Sequence, residues 1–212
     1  INGLQKIAII GQSGCGKSTL LHCLAGIFTS YQGTLLLNQL PLANYSENQL
    51  RRLLLLVSKQ TRLISGTIYK NICLGDNFSN QEIIEVLNLV GLAEAVNKLP
   101  LGIHQPIAAE QSNLSQGQLK QLDLAAAIIR KPNILLLDEP FDTLDNTLED
   151  RVVDNLMSLS LTAIVITHRL RHLPLFDKVL WLEAGTIKAF DTHDKLMQQD
   201  PGYYNFINSG VI

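Results

Sequence analysis

Residues Gly11–Ser18 read Gly-Gln-Ser-Gly-Cys-Gly-Lys-Ser and fit the pattern G-x-x-x-x-G-K-[ST]. The apolar run from Leu4 to Ile10 comes directly before this stretch and predicts a buried strand. After it, periodic apolar residues from about Ser18 to Ala25 predict a helix that Gly26 closes. A strand, a glycine-rich turn and a helix in this order predict the first unit of an α/β fold.

The turn at Gly11–Ser18 has the composition of a phosphate-binding loop. Its glycines let the backbone wrap closely around phosphate oxygens, and the amide N–H groups and helix N-terminus offer partial positive charge to an anion. Lys17 is predicted to reach the β and γ phosphates, and the Ser18 hydroxyl to bind Mg²⁺. A glycine-rich turn that binds nothing is the alternative, and the pattern alone does not choose between kinases, GTPases and ATPases. The predicted nucleotide contacts are Gly11, Ser13, Gly14, Cys15, Gly16, Lys17, Ser18 and Thr19.

Further strands and helices alternate along the chain, which predicts a mostly parallel sheet. The segment Asn133–Asp138 contains a continuous apolar run, as in a strand buried on both faces. Ser46, followed three residues later by Gln49, forms a capping box that opens a short helix. We also predict strands at Gly33–Leu37, Leu53–Val57 and Leu161–Thr167, a helix at about Thr147–Ser158, a hairpin of Val179–Leu182 and Thr186–Phe190, and a last helix near Asp194–Gln199.

The segment from about Thr67 to Arg130 has a different pattern. Helical periodicity runs through Gln81–Val90 and Ser115–Arg130, and no convincing strand is visible. We therefore predict a single domain, an α/β P-loop NTPase core with a mostly parallel sheet and an antiparallel β part. A helical subdomain is inserted into that core at about residues 75–130.

The bulk composition limits the kind of partner. Hydrophobic residues make up 46% of the chain and charged residues 17%, as in a globular domain. The formal net charge of -2 gives no reason to expect a nucleic-acid surface, which shows clustered basic residues. No apolar stretch approaches the roughly 20 residues that span a bilayer. Three scattered cysteines favour a reducing compartment, and the non-methionine start at Ile1 suggests a piece of a longer chain.

Two adjacent carboxylates, Asp138 and Glu139, end the predicted strand Asn133–Asp138. Neighbouring residues on a strand point in opposite directions, so the two side chains cannot have the same task. We predict that Asp138 holds Mg²⁺, directly or through water, and that Glu139 polarises an attacking water as a general base. A solvated strand end is the alternative.

Motifs on both sides of this pair resemble those of the ABC (ATP-binding cassette) ATPases. The stretch Phe141–Asp145 resembles the D-loop of that family, and Leu114–Gln118, which reads LSQGQ, resembles its LSGGQ signature. Gln60 takes the place of the Q-loop glutamine, and His168 that of the switch histidine. The motifs occur in family order at family-like spacing, and the resemblance covers essentially the whole chain.

The resemblance implies an ATPase in which two head-to-tail copies enclose two ATP molecules with Mg²⁺. In this family the signature of one subunit faces the γ-phosphate held by the other, so Ser115, Gly117 and Gln118 are expected to contact nucleotide, as is Asp145 of the D-loop. A helix cap with no role at the nucleotide is the alternative for Ser115.

The resemblance also completes the catalytic and metal sets. His168 is expected to contact the γ-phosphate, and a purely structural histidine is the alternative. Gln60 is expected at Mg²⁺, at water and at the interface with a membrane domain, and an ordinary surface amide is the alternative. The implied catalytic residues are Glu139, His168 and Gln60, and the implied metal ligands are Ser18, Gln60 and Asp138.

Two features depart from the family pattern. Gln116 stands where the signature usually has glycine, so the backbone freedom of glycine is lost and we expect a weakened or reshaped contact. The aromatic residue on which family members stack adenine precedes the first strand, and its position would come before Ile1.

Within the family, Ser65–Ile72 and Glu110 resemble the corresponding stretches of exporters. This implies a domain at the cytoplasmic face of a membrane, the inner membrane in bacteria. Its partners would be a transmembrane domain, in the same or a separate chain, and a second nucleotide-binding domain, identical or different. An importer ATPase and a soluble ABC protein acting on ribosomes or DNA are the alternatives. No nucleic-acid partner is expected, because the sequence shows no paired cassette, long coiled-coil insertion or basic surface.

Overall fold

The structure is a computed structural model that describes residues 3–60, 63–107 and 113–209. The strands are β1 (Lys6–Ile10), β2 (Leu36–Leu37), β3 (Leu40–Pro41), β4 (Leu54–Val57), β5 (Gly66–Thr67), β6 (Pro106–Ile107), β7 (Ile134–Asp138), β8 (Thr162–Ile166), β9 (Lys178–Glu183) and β10 (Thr186–Asp191). The helices are α1 (Lys17–Leu24), α2 (Glu47–Leu53), α3 (Ile68–Cys73), α4 (Asn80–Leu89), α5 (Ala93–Asn97), α6 (Gln116–Ile128), α7 (Asn146–Ser158), α8 (His193–Gln199) and α9 (Pro201–Ser209). Within the described ranges, no helix has both the length and the hydrophobicity needed to cross a membrane.

The chain divides into two compact units. The first comprises Ile1–Leu56, Pro132–Glu139 and Leu161–Ile212, and the second comprises Val57–Lys131 and Pro140–Ser160. The second unit therefore takes in more of the chain than the predicted insertion at about residues 75–130. The assignment of one domain with an inserted helical subdomain stays a prediction.

A six-stranded sheet in the order β10-β9-β1-β8-β7-β4 forms the centre of the first unit. β1 runs parallel to β8 and β9, β7 runs parallel to β8, and β10 is antiparallel to β9. β1 and β8 are buried along their whole length, as expected for parallel strands covered on both faces. The core on this sheet includes Ile7, Ile9, Leu21, Leu136 and Ile166. The predicted α/β fold with a mostly parallel sheet is confirmed.

Strand register brings three chain segments to one edge of this sheet. Ile166 of β8 pairs with Ile9 of β1 on one side and with Asp138 of β7 on the other. The segments that follow these strands are the glycine-rich loop, Glu139 and the stretch leading to His168. Because the three strands are parallel neighbours, these segments leave the sheet at the same edge, where α/β proteins bind ligands.

Several predicted strand bounds are wrong. The strand predicted at Gly33–Leu37 is only Leu36–Leu37. Gly33 itself has a left-handed backbone (φ 99°), which does not fit an extended strand. The segment predicted to lack strands contains the two-residue strands β5 and β6, which pair with each other. Such short ladders form between residues about 40 positions apart, and a local pattern does not reveal them.

The helix predicted near Asp194–Gln199 is α8, His193–Gln199, but it is not the last one, because α9 follows it. Tyr203 of α9 is fully buried, and the Phe206 ring stacks on Trp181 at 5.3 Å between centroids. Burial raises the pKa of Tyr203 and lowers that of His193. The Tyr203 hydroxyl oxygen and His193 Nδ1 share a hydrogen bond of 2.9 Å. The packing of Tyr203 and Phe206 against Trp181 holds α9 on β9. Such contacts between distant segments are not visible in a local sequence pattern.

The helices of the second unit pack together, and side chains of the segment around α6 bind the carboxyl ends of α3 and α4. α6 packs against α3 and α4, and α7 packs against α4. Arg130 donates to Ile72 O over 2.9 Å and pairs with Asp76 at 3.1 Å. Gln121 Nε2 donates to Val90 O over 2.7 Å. These side chains satisfy carbonyl groups that the ends of α3 and α4 leave without a helical partner.

Candidate nucleotide site

The glycine-rich loop at the edge of the first unit's sheet uses a backbone that only glycine adopts readily. Gly11, Gly14 and Gly16 have φ values of 150°, 79° and 101°. A Cβ atom at Gly11 would lie 2.1 Å from Leu182 O, so no side chain fits there. Within the loop, the Cys15 N–H donates to Gln12 O over 3.2 Å. The loop is thus a tight turn between β1 and α1, as the pattern predicts.

Lys17 is the first residue of α1 and is buried. Its Nζ donates to Gly11 O over 2.6 Å and to Gln12 O over 3.0 Å. An ammonium group has three N–H donors, and the described residues accept from two of them. A positive charge held inside a loop of backbone N–H groups suits a polyphosphate ligand.

Asp138 has the surroundings of a cation ligand. It is 3% exposed, and its Oδ1 has no hydrogen-bond partner among the residues that the structure describes. A buried charged oxygen without a protein partner is costly, and a bound cation would remove that cost. The donor set of Asp138 and the Ser18 hydroxyl, both oxygen ligands, therefore fits Mg²⁺.

Glu139, directly after β7, has a left-handed backbone with φ 51°, which is uncommon for a residue other than glycine. Its N–H donates to Ile166 O over 3.1 Å, and its side chain is 8% exposed. Oε1 lies 2.7 Å from His168 Nε2. A carboxylate only accepts hydrogen bonds, so Nε2 carries the proton. The two predicted catalytic residues therefore contact each other in the structure. The contact between His168 and the γ-phosphate stays a prediction.

Strained backbone of this kind concentrates at functional sites, where the surrounding structure must enforce it. At Glu139 the enforcing contacts are the bond from its N–H to β8 and the bond from its side chain to His168. These contacts fix the position of the Glu139 carboxylate at the edge of the sheet where the glycine-rich loop also lies.

The signature-like segment of the second unit forms a helix start. Ser115 is the N-cap of α6, and its Oγ accepts a hydrogen bond from the Gln118 N–H over 3.3 Å. Gln118 Oε1 in turn accepts from the Ser115 N–H over 2.8 Å. Both side chains therefore take part in this capping box. The same S-x-x-Q pattern predicts the capping box of Ser46 and Gln49, so the sequence carries the signal for this one too. A nucleotide contact for Ser115, Gly117 and Gln118 stays a prediction.

Gln116, the departure from the family signature, is the first residue of α6 and is exposed. An ordinary helical backbone serves there, so the change from glycine adds side-chain bulk and does not strain the chain. The bulk lies beside other predicted functional residues. Gln116, Gln60, Lys59, Lys120 and Thr143 share a pocket of about 460 Å³ within the second unit.

Gly117, by contrast, needs its missing side chain. A Cβ there would lie 2.9 Å from Thr143 O, a backbone atom of the D-loop-like stretch. Replacing glycine by alanine inside a helix normally stabilises it by about 0.5–1 kcal/mol. Here we expect the overlap, worth about 1–3 kcal/mol, to exceed that gain. Gly117→Ala should therefore lower the melting temperature by a few degrees in a thermal unfolding scan.

Gln116→Ala is the matched control for this prediction. Gln116 is exposed and lies next to Gly117, and its replacement by the smaller alanine adds no atoms that could collide. Its stability is expected to stay within about 0.5 kcal/mol of wild type. A Gly117→Ala variant more stable than wild type would show that Thr143 moves away freely.

Two further predicted site residues, Asp145 and Gln60, belong to the second unit. Asp145 is the N-cap of α7, with Oδ1 accepting from the Leu148 N–H over 3.0 Å. Gln60 is exposed, and its carbonyl accepts from Ser58 Oγ over 2.8 Å. Their nucleotide and metal roles, like those of Ser13, stay predictions. Glu110, cited for its exporter resemblance, lies outside the described residues.

Comparison with known proteins decides the family. A sequence model described as "ABC transporter" matches residues 1–142, which include the glycine-rich loop, the signature-like segment and both carboxylates. The chain belongs to the ABC transporter family. This ABC domain is 35% identical over 205 residues to a putative export ATP-binding/permease protein of Rickettsia bellii, covering 96% of the chain and 36% of that protein. It is 34% identical over 209 residues to the glutathione/L-cysteine transport system ATP-binding/permease protein CydC of Escherichia coli, covering 97% and 36%.

A solved structure agrees with these relatives. The ABC domain matches a bacterial Atm1-family ABC exporter with ATP bound at a TM-score of 0.91 and 26% identity, over 98% of the chain and 37% of that exporter. The predicted resemblance to exporter-type ABC proteins is confirmed by these matches. The chain spans about a third of the length of the relatives named here.

Proposed function

We propose that this ABC domain binds MgATP and hydrolyses it to drive export of a substrate across a membrane. The observation that carries the proposal is the set of groups at one edge of the first unit's sheet. It combines a lysine inside a glycine-rich loop, a buried carboxylate oxygen with no hydrogen-bond partner in the described part of the chain, and a glutamate that is hydrogen-bonded to a histidine. Phosphoryl transfer to water needs a phosphate cradle, a cation ligand and a base, and this set supplies each of them.

In the proposed reaction, the loop amides and Lys17 bind the phosphates of ATP, and Ser18 and Asp138 hold Mg²⁺. The cation would neutralise charge on the phosphate oxygens. Glu139 accepts a proton from water as the water oxygen bonds to the γ-phosphorus, and the bond from that phosphorus to the ADP oxygen breaks. The His168 Nε2–H holds the Glu139 carboxylate in position. ADP and inorganic phosphate are the products.

We propose that hydrolysis requires a second nucleotide-binding domain. The exposed start of α6 presents backbone N–H groups at a helix N-terminus, which favours an anion. In a head-to-tail pair, Ser115 and Gly117 of one domain would face the γ-phosphate held by the other. Asp145 and Gln60 would complete the assembled site.

The exporter assignment is supported by the relatives, which are named as export and multidrug-resistance proteins across bacteria and Drosophila melanogaster. Their membrane portions would be this domain's partner, in the same chain or a separate one, and would place it at the cytoplasmic face of the membrane. No observation here favours an importer or a soluble ABC protein.

Nucleotide titration and phosphate release on the full chain test the proposal. We expect saturable MgATP binding and a specific ATPase activity that rises with protein concentration, because active sites form between two copies. Binding that is no tighter for ATP than for AMP would contradict the phosphate cradle. Activity per molecule that is independent of concentration in a monomeric sample would contradict the paired arrangement.

A further inference from the structure

We infer that Gly185, in the turn between β9 and β10, is a positioning residue of the phosphate loop. It is about 170 residues away in sequence from that loop, and no motif discussed above includes it. The inference rests on the nucleotide binding proposed above. It adds that the β9–β10 hairpin sets the direction in which one peptide group of the loop points.

Strand register places the hairpin beside the loop. β1 ends at Ile10, whose partner on β9 is Trp181, and β9 continues to Glu183. Leu182 therefore extends past the end of β1 and lies next to the phosphate loop. A Cβ at Gly11 would lie 2.1 Å from Leu182 O, and one at Gly16 would lie 3.8 Å from Leu182 Cδ2. The hairpin thus contacts the loop near both of its ends.

One hydrogen bond joins the turn itself to the loop. The Gly185 N–H donates to Cys15 O over 3.1 Å. The C=O and N–H of a trans peptide group point in opposite directions, and the described chain has no cis peptide. Because Gly185 holds the Cys15 carbonyl toward the hairpin, the Gly16 N–H points away from it. That N–H immediately precedes Lys17 and belongs to the amides that a phosphate loop turns toward its ligand.

The direction of the Gly185 N–H depends on an unusual backbone. Ala184 and Gly185 have φ values of 47° and 76°, as the two central residues of a type I′ turn require. A β-branched residue strongly disfavours such φ values, whereas asparagine tolerates them. A Cβ at Gly185 would meet no atom of the described residues within 4 Å. A substitution there therefore acts through the backbone and not through collision.

The hairpin is held firmly from the other face of the sheet. Neighbouring strand residues point to opposite faces, so Trp181 and Leu182 face different sides. Trp181 packs against Tyr203 and Phe206 of α9, with ring centroids 6.0 and 5.3 Å apart. Because the packing of Trp181 on α9 fixes the position of β9, the neighbouring Leu182 and the β9–β10 turn have a fixed position beside the phosphate loop.

The test compares three variants of the full chain for MgATP affinity and for melting temperature. Gly185→Val should weaken MgATP binding about tenfold, the effect of one hydrogen bond. Gly185→Asn keeps both the left-handed backbone and the N–H, so its affinity should stay within about twofold of wild type. Gly33→Val is the matched control, because Gly33 is also left-handed (φ 99°) with nothing within 4 Å of its Cβ position. It should lower the melting temperature and leave affinity unchanged.

Hydrogen exchange of the Gly185 amide in the wild-type chain is a second measurement, which does not depend on the variants folding. The exchange should slow when MgATP saturates the site, since binding and the Gly185 bond to Cys15 support each other. Unchanged exchange, or a folded Gly185→Val variant with wild-type affinity, would overturn the positioning role alone. A wild-type chain that binds no nucleotide would instead remove the proposed function, and this inference with it.

Discussion

Glu139→Gln should slow ATP hydrolysis by about 10²- to 10⁴-fold, the usual contribution of a general base, and leave MgATP affinity close to that of wild type. Glutamine has nearly the same shape as glutamate, and its Oε1 can still accept the hydrogen bond from His168 Nε2. The substitution therefore removes the proton acceptor and keeps the geometry around it. Because ATP stays bound and uncleaved, the variant should accumulate as nucleotide-filled pairs.

Single-turnover phosphate release and size-exclusion chromatography with MgATP measure these two effects. Glu94→Gln is a suitable control, because that carboxylate is exposed on α5 and pairs with Lys98, one helical turn away. Its turnover is expected to match wild type. Turnover by Glu139→Gln within about twofold of wild type would remove Glu139 from the role of base.

Lys17→Ala should weaken MgATP binding about 10- to 100-fold, which corresponds to the roughly 1.5–3 kcal/mol of a hydrogen bond to a charged group. The ammonium of Lys17 is buried within the loop, where its attraction to phosphate is screened less than on the surface. Its removal also takes one donor from the Gly11 carbonyl and one from the Gln12 carbonyl, which still accepts from the Cys15 N–H. The loop is then both less positive and less ordered.

Equilibrium titration measures the affinity, and a thermal scan establishes that the variant is folded. Lys98→Ala controls for the loss of a positive charge, since Lys98 is exposed and distant in sequence from the loop. Equal ATP affinity in Lys17→Ala and wild type would contradict the phosphate cradle.

Several helices and strands of the first unit follow the sequence pattern closely. The helix predicted at about Ser18–Ala25 is α1, Lys17–Leu24, and the strand predicted at Asn133–Asp138 is β7, Ile134–Asp138. The capping box at Ser46 and Gln49 is present as predicted. These features depend on neighbours within one helical turn or on an apolar run of one strand, so the local sequence is enough to reveal them.

The candidate site's residues stay predictions, and the structure adds the contacts that they make. Lys17 is buried inside the glycine-rich loop, and Asp138 is buried at the end of β7. His168 contacts Glu139, and Ser115 and Gln118 cap a helix. A motif names the side chains that a family uses with its ligand, whereas the structure shows the hydrogen bonds that the same side chains make within the chain.

The sequence by itself determined the alternation of the main strands and helices, the glycine-rich turn between β1 and α1, and the place of the carboxylates at a strand end, because these are properties of adjacent residues. Tertiary structure alone decided the bond between Glu139 and His168, the docking of α9 on Trp181, and the contact of Gly185 with Cys15. Each of these depends on which strands are neighbours and in which register, and that is settled by packing between segments far apart in the chain.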